Sequence, residues 1–156
     1  MRKLTKRYIT SSIDSLNLSK PIRYERYYIN DILRIQKRNN EYQNEILDEN
    51  NNVIKKVNIS ENEFMELKEK AYSEIIRNSY LFLDDDRVSV KEYLGKYVGL
   101  YRVEVSFGSV AEENNYTKQE WMEKEITNSP LAFDKDLSKI SEERFRAELK
   151  KYLKKD

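Results

Sequence analysis

The chain has 156 residues, of which 38% are hydrophobic and 37% charged, and its 12 Tyr, 5 Phe and 1 Trp supply the apolar area that disordered chains of similar charge lack. A packed core is therefore expected despite a mean hydropathy of -0.89. Lys and Arg number 29 against 28 Asp and Glu, a net charge of +1, which excludes a global basic field for nucleic acid or membrane; with no Cys and no His, disulfides, thiol catalysis, His-ligated metals and Ser-His-Asp chemistry are excluded too.

Any catalysis must then rest on carboxylates, Lys, Arg, Tyr or Ser, with an oxygen-ligated ion such as Mg²⁺ or Mn²⁺. With 3 Gly and 2 Pro there is little linker material, so one domain over 1–156 is expected. No apolar run approaches the roughly 18–20 residues of a membrane span, and the basic N-terminus has no apolar stretch behind it, so a cytoplasmic protein with no membrane partner is expected. The Asn, Ile, Lys and Tyr bias is that of an AT-rich genome, bacterial or phage.

In chain order, Lys3 to Thr10 alternates and predicts a strand with a basic face, and Ser11 to Pro21 a loop. Tyr24 to Ile29 and Ile32 to Arg38 predict a hairpin across Asn30-Asp31, followed by strands at Glu41 to Leu47 and Val53 to Ile59 around the turn Asp48 to Asn52. Ser60-Glu61-Asn62-Glu63 is a capping-box sequence, with Phe64, Leu67 and Ala71 at helical spacing behind it. Strands are predicted again at Ile75 to Leu83, Val88 to Tyr93 and Leu100 to Phe107, separated by Asp84-Asp85-Asp86 and by Gly95 and Gly99. Ser109 to Tyr116 predicts a short helix and Ser141 to Lys155 a final one, with Phe145, Leu149 and Tyr152 or Leu153 on one face. About eight strands in hairpin order imply an antiparallel sheet or barrel with flanking helices, an α+β chain.

Residues two apart share a strand face. Arg34, Gln36 and Arg38 therefore lie together, opposite Leu33 and Ile35. Arg102, Glu104 and Ser106 lie together, opposite Tyr101, Val103, Val105 and Phe107; Lys56 and Asn58 oppose Val57 and Ile59. Each strand has an oily face and a polar face rich in cations. Periodicity alone leaves two arrangements open: an open sheet with a solvated polar face, or a barrel with that face turned inward, where Arg forks and Lys ammonium groups would meet a polyanion.

The segment Gly99 to Leu137 resembles the C-terminal signature of CYTH domains, the triphosphate-tunnel fold of class IV adenylate cyclases, thiamine triphosphatases and inorganic triphosphatases. The matching pieces are Arg102-Val103-Glu104-Val105-Ser106, then Trp121-Met122-Glu123-Lys124-Glu125-Ile126-Thr127, then a late turn at Phe133 to Leu137. Upstream, Tyr27-Tyr28-Ile29 with Leu33-Arg34-Ile35-Gln36 is similar to the family's hairpin, and Val57-Asn58-Ile59-Ser60 with the helix after it to a further piece. The resemblance implies a triphosphate-tunnel-like barrel.

The family's metal-holding acids are largely missing. The opening acids would fall near Lys3-Leu4-Thr5-Lys6-Arg7, a second pair at Lys56 and Asn58, an aspartate near Ser89-Val90-Lys91, and a last acid at Ser106. Glu104 and Glu125 remain as the residues for any catalysis, with Glu104 as a metal ligand. The cations survive: the resemblance and the parity together place Arg7, Arg34, Arg38, Lys56, Arg77, Lys91 and Arg102 at the lumen as ligand-binding residues. The expected function is non-catalytic binding of a phosphate-rich ligand (a nucleotide, cyclic oligonucleotide or polyphosphate) with no cofactor, as in a phage-encoded sequestering protein. Two alternatives stand beside it: a protein-interaction module that inhibits a host factor on a relic tunnel, and a residual Mg²⁺- or Mn²⁺-dependent triphosphatase. Elsewhere, Asp84-Asp85-Asp86 reads as a solvated turn and Trp121 as a core residue. Tyr24, Tyr27 and Tyr28, interleaved with Arg23 and Arg26, read as packing against the final helix rather than as a base-stacking platform. Lys150, Lys151, Lys154 and Lys155 suit the helix C-terminus.

Overall fold

A computed structural model describes residues 4–153. In chain order the elements are β1 (Thr5–Thr10), β2 (Ile22–Tyr28), β3 (Leu33–Arg38), β4 (Glu41–Leu47), β5 (Val53–Asn58), α1 (Glu61–Lys68), β6 (Ser73–Leu81), β7 (Val88–Leu94), β8 (Tyr101–Ser106), α2 (Val110–Asn114), α3 (Asp134–Lys139) and α4 (Glu142–Leu153). All strands join one antiparallel sheet in the order β1-β8-β7-β6-β2-β3-β4-β5. Two meanders, β2 to β5 and β6 to β8, are sewn together by the β2–β6 ladder, and β1 returns to pair with β8.

The turns follow from side-chain chemistry. Asp48 accepts hydrogen bonds from the amides of Asn50 (2.8 Å) and Asn52 (2.9 Å), and Asn51 takes the left-handed conformation (φ 65°) that asparagine tolerates. At α1 the Ser60 hydroxyl accepts from the Glu63 amide at 3.1 Å, as the capping sequence predicts. Ser109 does the same for α2 by accepting from the Glu112 amide. Asp85 is bound by Arg87 and Asp84 by Asn17, so the acidic turn is held by its own neighbours.

The eight-stranded α+β architecture agrees with the sequence reading, but the sheet is not closed: β1 and β5 are its edges. The WMEKEIT segment covers the β1 edge. Ile9 donates to the Lys124 carbonyl, Glu123 to Ile9 and Ile126 to Arg7, so the segment lies along β1 as an irregular ninth strand and satisfies the open ladder. The other edge, β5, is exposed along its whole length and carries Lys55 and Lys56, a charge pattern that discourages edge-to-edge pairing. The expected turn at Phe133 to Leu137 is instead helix α3 with Phe133 at its N-cap. Lys3, Lys154 and Lys155 lie outside the described residues.

Both faces of the curled sheet are packed. Outside, Phe64 of α1 meets Tyr27 edge-on at 5.7 Å and Tyr42 at 5.0 Å, burying Ile35 beneath. Also outside, Tyr8, Val88, Val103, Val105, Phe107 and Met122 form a second cluster, with Trp121 against Phe82 at 5.2 Å. Inside the curl, Ile9, Tyr28, Leu47, Ile75, Tyr93 and Leu100 pack with Leu131, Leu137, Phe145 and Leu149. The three tyrosines thus separate: Tyr28 joins the cluster of the final helix as expected, Tyr27 packs on α1, and Tyr24 lines a cavity.

Candidate functional site

The inner face of the sheet changes character at one level. On six strands the inward row steps, within two residues, from a charged side chain to an apolar one. The steps are Arg7 to Ile9 on β1, Arg26 to Tyr28 on β2, Glu45 to Leu47 on β4, Arg77 to Ile75 on β6, Lys91 to Tyr93 on β7, and Arg102 to Leu100 at the start of β8. The apolar residues form a floor backed by Phe145 and Leu149 of α4. Gly99 (φ 104°), next to Arg146 and Leu149 of α4, takes a backbone conformation that residues with a side chain rarely adopt. The charged residues line a cavity of about 420 Å³ above it. The polar faces therefore point inward rather than to solvent, and the lumen is blind at the α4 end.

Six arginines (Arg7, Arg26, Arg34, Arg38, Arg77, Arg102) and three lysines (Lys56, Lys91, Lys135) line the cavity, against Glu45, Glu104 and Asp134. All seven cations singled out from the sequence are in this wall. Arg26, Lys135, Glu45 and Asp134 join them without having been singled out from the sequence; Arg26 shares its face with Tyr24 and Tyr28, a parity that could have found it.

Each acid is enclosed by cations. Asp134, 4% exposed, receives Arg26 at 2.8 Å, Arg77 at 3.0 Å and Arg102 at 3.1 Å, and the Tyr93 hydroxyl donates to it at 2.6 Å. Burial alone would raise its pKa, but Arg77, Arg102 and Arg26 outweigh burial and hold the carboxyl well below the usual range. Glu104 meets Arg7 and Arg102, each at 3.2 Å, and Lys91 at 3.8 Å, which overcome its burial in the same way. Glu45, 1% exposed, pairs with Arg34 at 2.8 Å and Lys56 at 3.4 Å, and its pKa too lies below the ordinary value.

The cations keep a large surplus. Burial lowers the Lys91 pKa to about 8, and Arg77 and Arg102 add to the depression while Glu104 opposes it. Burial likewise lowers Arg26 to about 10, with Arg34 and Arg77 beside it. The Arg77, Arg26 and Arg38 guanidinium groups lie 4.6, 5.3 and 5.9 Å from the Tyr24 ring, and Arg7 lies 4.1 Å from that of Phe133, so the aromatic faces in the wall are already used by cations. Arg102 donates to the Leu131 carbonyl through Nη1 and to Asp134 through Nη2, while its Nε, buried, has no hydrogen-bond partner.

Glu125 is not at this site. It bridges Tyr8 on the edge of β1, and residues directly opposite share a face; Tyr8 points away from the lumen, so Glu125 does too. Of the two acids named from the sequence, Glu104 alone lines the cavity.

The chain shares its fold with a solved protein of similar length. The inorganic triphosphatase NE1496 superposes with a TM-score of 0.73 at 17% identity, covering 90% of this chain and 97% of that one. A second structure of NE1496, described as a hypothetical protein, gives 0.71 at 17% identity over 87% and 97%. No family model matches the sequence, and no curated protein matches it.

The divalent ion that the tunnel fold implies is not fitted by the residues present. Among the described residues no group of three or more acids gathers where an ion could sit. Glu45, Glu104 and Asp134 each spend their oxygens on two or three cations, whose charge would repel a metal. Among the described residues no helix is long and apolar enough to cross a membrane. By its strand order, its inward charged rows and its superposition on NE1496, the chain has the CYTH-like triphosphate-tunnel fold.

Proposed function

We propose that this protein captures a phosphate-rich anion in the blind cavity, without a metal and without hydrolysing it. The observation that carries the reading is the charge count of the wall: nine cationic side chains against three carboxylates, a formal surplus of +6. A triphosphate bearing about four negative charges leaves that surplus still positive, and guanidinium forks match its oxygens in pairs. The unpartnered Nε of Arg102 adds support, because a buried donor without an acceptor costs about 1–3 kcal/mol and an anion that reorganises the cluster can remove that cost. The ligand is drawn from nucleotides, cyclic oligonucleotides and polyphosphates, and a sequestering role in the cytoplasm suits tight binding without turnover.

Thermal unfolding with tripolyphosphate in excess EDTA tests the reading. Ligand at 100 times its Kd adds about 2.7 kcal/mol, so a clear rise in Tm is expected; no rise with any phosphate compound, with or without Mg²⁺, overturns capture. The likeness to an inorganic triphosphatase favours one second reading, metal-dependent hydrolysis, in which Glu104 would be the surviving metal ligand. Phosphate release that requires Mg²⁺ or Mn²⁺ and disappears in Glu104→Gln would establish that reading instead.

A further inference from the structure

Asp134 differs from the other two acids of the cavity. Glu45 and Glu104 project from strands, β4 and β8, and sit among the cations of the wall. Asp134 is brought in from outside the sheet, as the first residue of α3, by a segment whose Leu131 and Leu137 are anchored in the floor cluster. Its two oxygens accept from three guanidinium groups and from the hydroxyl of Tyr93, itself part of the floor. This is the coordination a terminal phosphate would take at the bottom of such a cavity: arginine forks around an anion, directly above the apolar layer.

Resting on the phosphate-capture reading, we propose that the Asp134 carboxylate is a built-in occupant of the innermost anion position and so sets how long a phosphate chain the cavity accepts. A bound chain stops above Asp134. Its end phosphate meets Arg7, Lys91 and the faces of Arg77 and Arg102 not spent on Asp134, and its remaining phosphates reach toward Arg34, Arg38 and Lys56. A carboxylate is smaller than a phosphate and carries one charge, so it satisfies the three guanidinium groups only in part; Arg26, Arg77 and Arg102 would hold a phosphate if the carboxylate were neutral.

The test is a length series of phosphate, pyrophosphate, tripolyphosphate, tetrapolyphosphate and longer chains up to a hexaphosphate. Binding is measured by calorimetry in EDTA for the wild type, Asp134→Asn and Asp134→Glu. For the wild type, affinity should rise with chain length and then level off. Asp134→Asn removes the charge by which three guanidinium groups hold the side chain in place, so a phosphate can displace the neutral amide and take the three cations. It should level off one phosphate later and bind the chain of that length at least tenfold more tightly. Asp134→Glu, which keeps the charge, should level off where the wild type does.

A wild-type affinity that climbs without levelling through the hexaphosphate overturns the proposal, and needs no variant. So does a folded Asp134→Asn protein with the wild-type levelling point, or an Asp134→Glu protein that shifts as Asp134→Asn does. Failure of every chain to bind both wild type and variants overturns phosphate capture itself, an outcome distinct from an unshifted levelling point.

Discussion

Glu104→Gln separates capture from hydrolysis because the two readings give it effects of opposite sign. The substitution is nearly isosteric and removes one negative charge from among Arg7, Arg102 and Lys91, at 3.2, 3.2 and 3.8 Å. Two consequences follow for the ligand-free protein and its complex. Without ligand, buried Arg7 and Arg102 and half-buried Lys91 lose their shared partner, and removing one member of a buried ion cluster costs about 3–5 kcal/mol; the side-chain amide still accepts a hydrogen bond and the site is partly open, so a loss of about 2–3 kcal/mol is expected. With ligand, a carboxylate that repelled the phosphates is gone. At a separation of roughly 8 Å and an effective dielectric of about 20–40, each ligand charge gains about 1–2 kcal/mol, so tripolyphosphate should bind at least about tenfold more tightly. Calorimetry in EDTA reads the affinity, and a malachite-green assay with Mg²⁺ or Mn²⁺ reads phosphate release. A folded Glu104→Gln protein that binds tripolyphosphate more weakly, or a wild type whose metal-dependent phosphate release the variant abolishes, refutes the reasoning.

Arg34→Ala should abolish the tripolyphosphate-induced rise in Tm and lower the ligand-free stability by about 3–5 kcal/mol, because Glu45 is left buried with half-exposed Lys56 as its partner; an unchanged Tm shift would place the ligand elsewhere. Stability should rise with pH between about 8 and 10. Lys91 titrates near 8 in the folded protein and near 10.5 unfolded, so over that interval the unfolded chain binds more protons. The gain is on the order of 3 kcal/mol. It should reverse above about pH 10, where tyrosines such as Tyr8, raised by burial to about 12 in the fold, ionise in the unfolded chain; urea titrations at pH 7, 9 and 11 check both signs, and a monotonic fall from pH 7 contradicts the Lys91 assignment. Because a bound polyanion favours charged Lys91, tripolyphosphate binding at pH 8.5 should take up a proton, read from calorimetry in buffers of different ionisation enthalpy. Phe145→Ala should cost about 3–5 kcal/mol by hollowing the floor, where Phe145 meets Tyr97 edge-on at 5.0 Å; a loss below 1 kcal/mol would mean that α4 does not seal the lumen.

Local chemistry made much of this protein legible in its sequence. The period-two alternation of LRIQKR and LYRVEVS places Arg34 with Arg38 and Arg102 with Glu104 on shared faces, and the cap at Ser60 marks the start of α1. Strand parity is a property of the backbone, so it survives whatever the sheet packs against. Parity says which residues share a face but not which way the face turns. The inward direction was decided by the curl of the sheet, with α1 covering one part of the outside and the Tyr8, Met122 and Phe107 cluster another. The edges were also decided in three dimensions: β1 is covered by the segment around Glu125, which turns that acid away from the lumen where its position in the motif suggested otherwise. Asp134 shows the limit most clearly. Its neighbours in sequence, Phe133, Lys135 and Asp136, give no hint that it is buried among three arginines, because those arginines come from β2, β6 and β8 and meet only when the sheet bends around them. Pairings within a strand are local and can be counted, whereas a charge cluster assembled from distant segments depends on a register and a curvature that tertiary packing supplies.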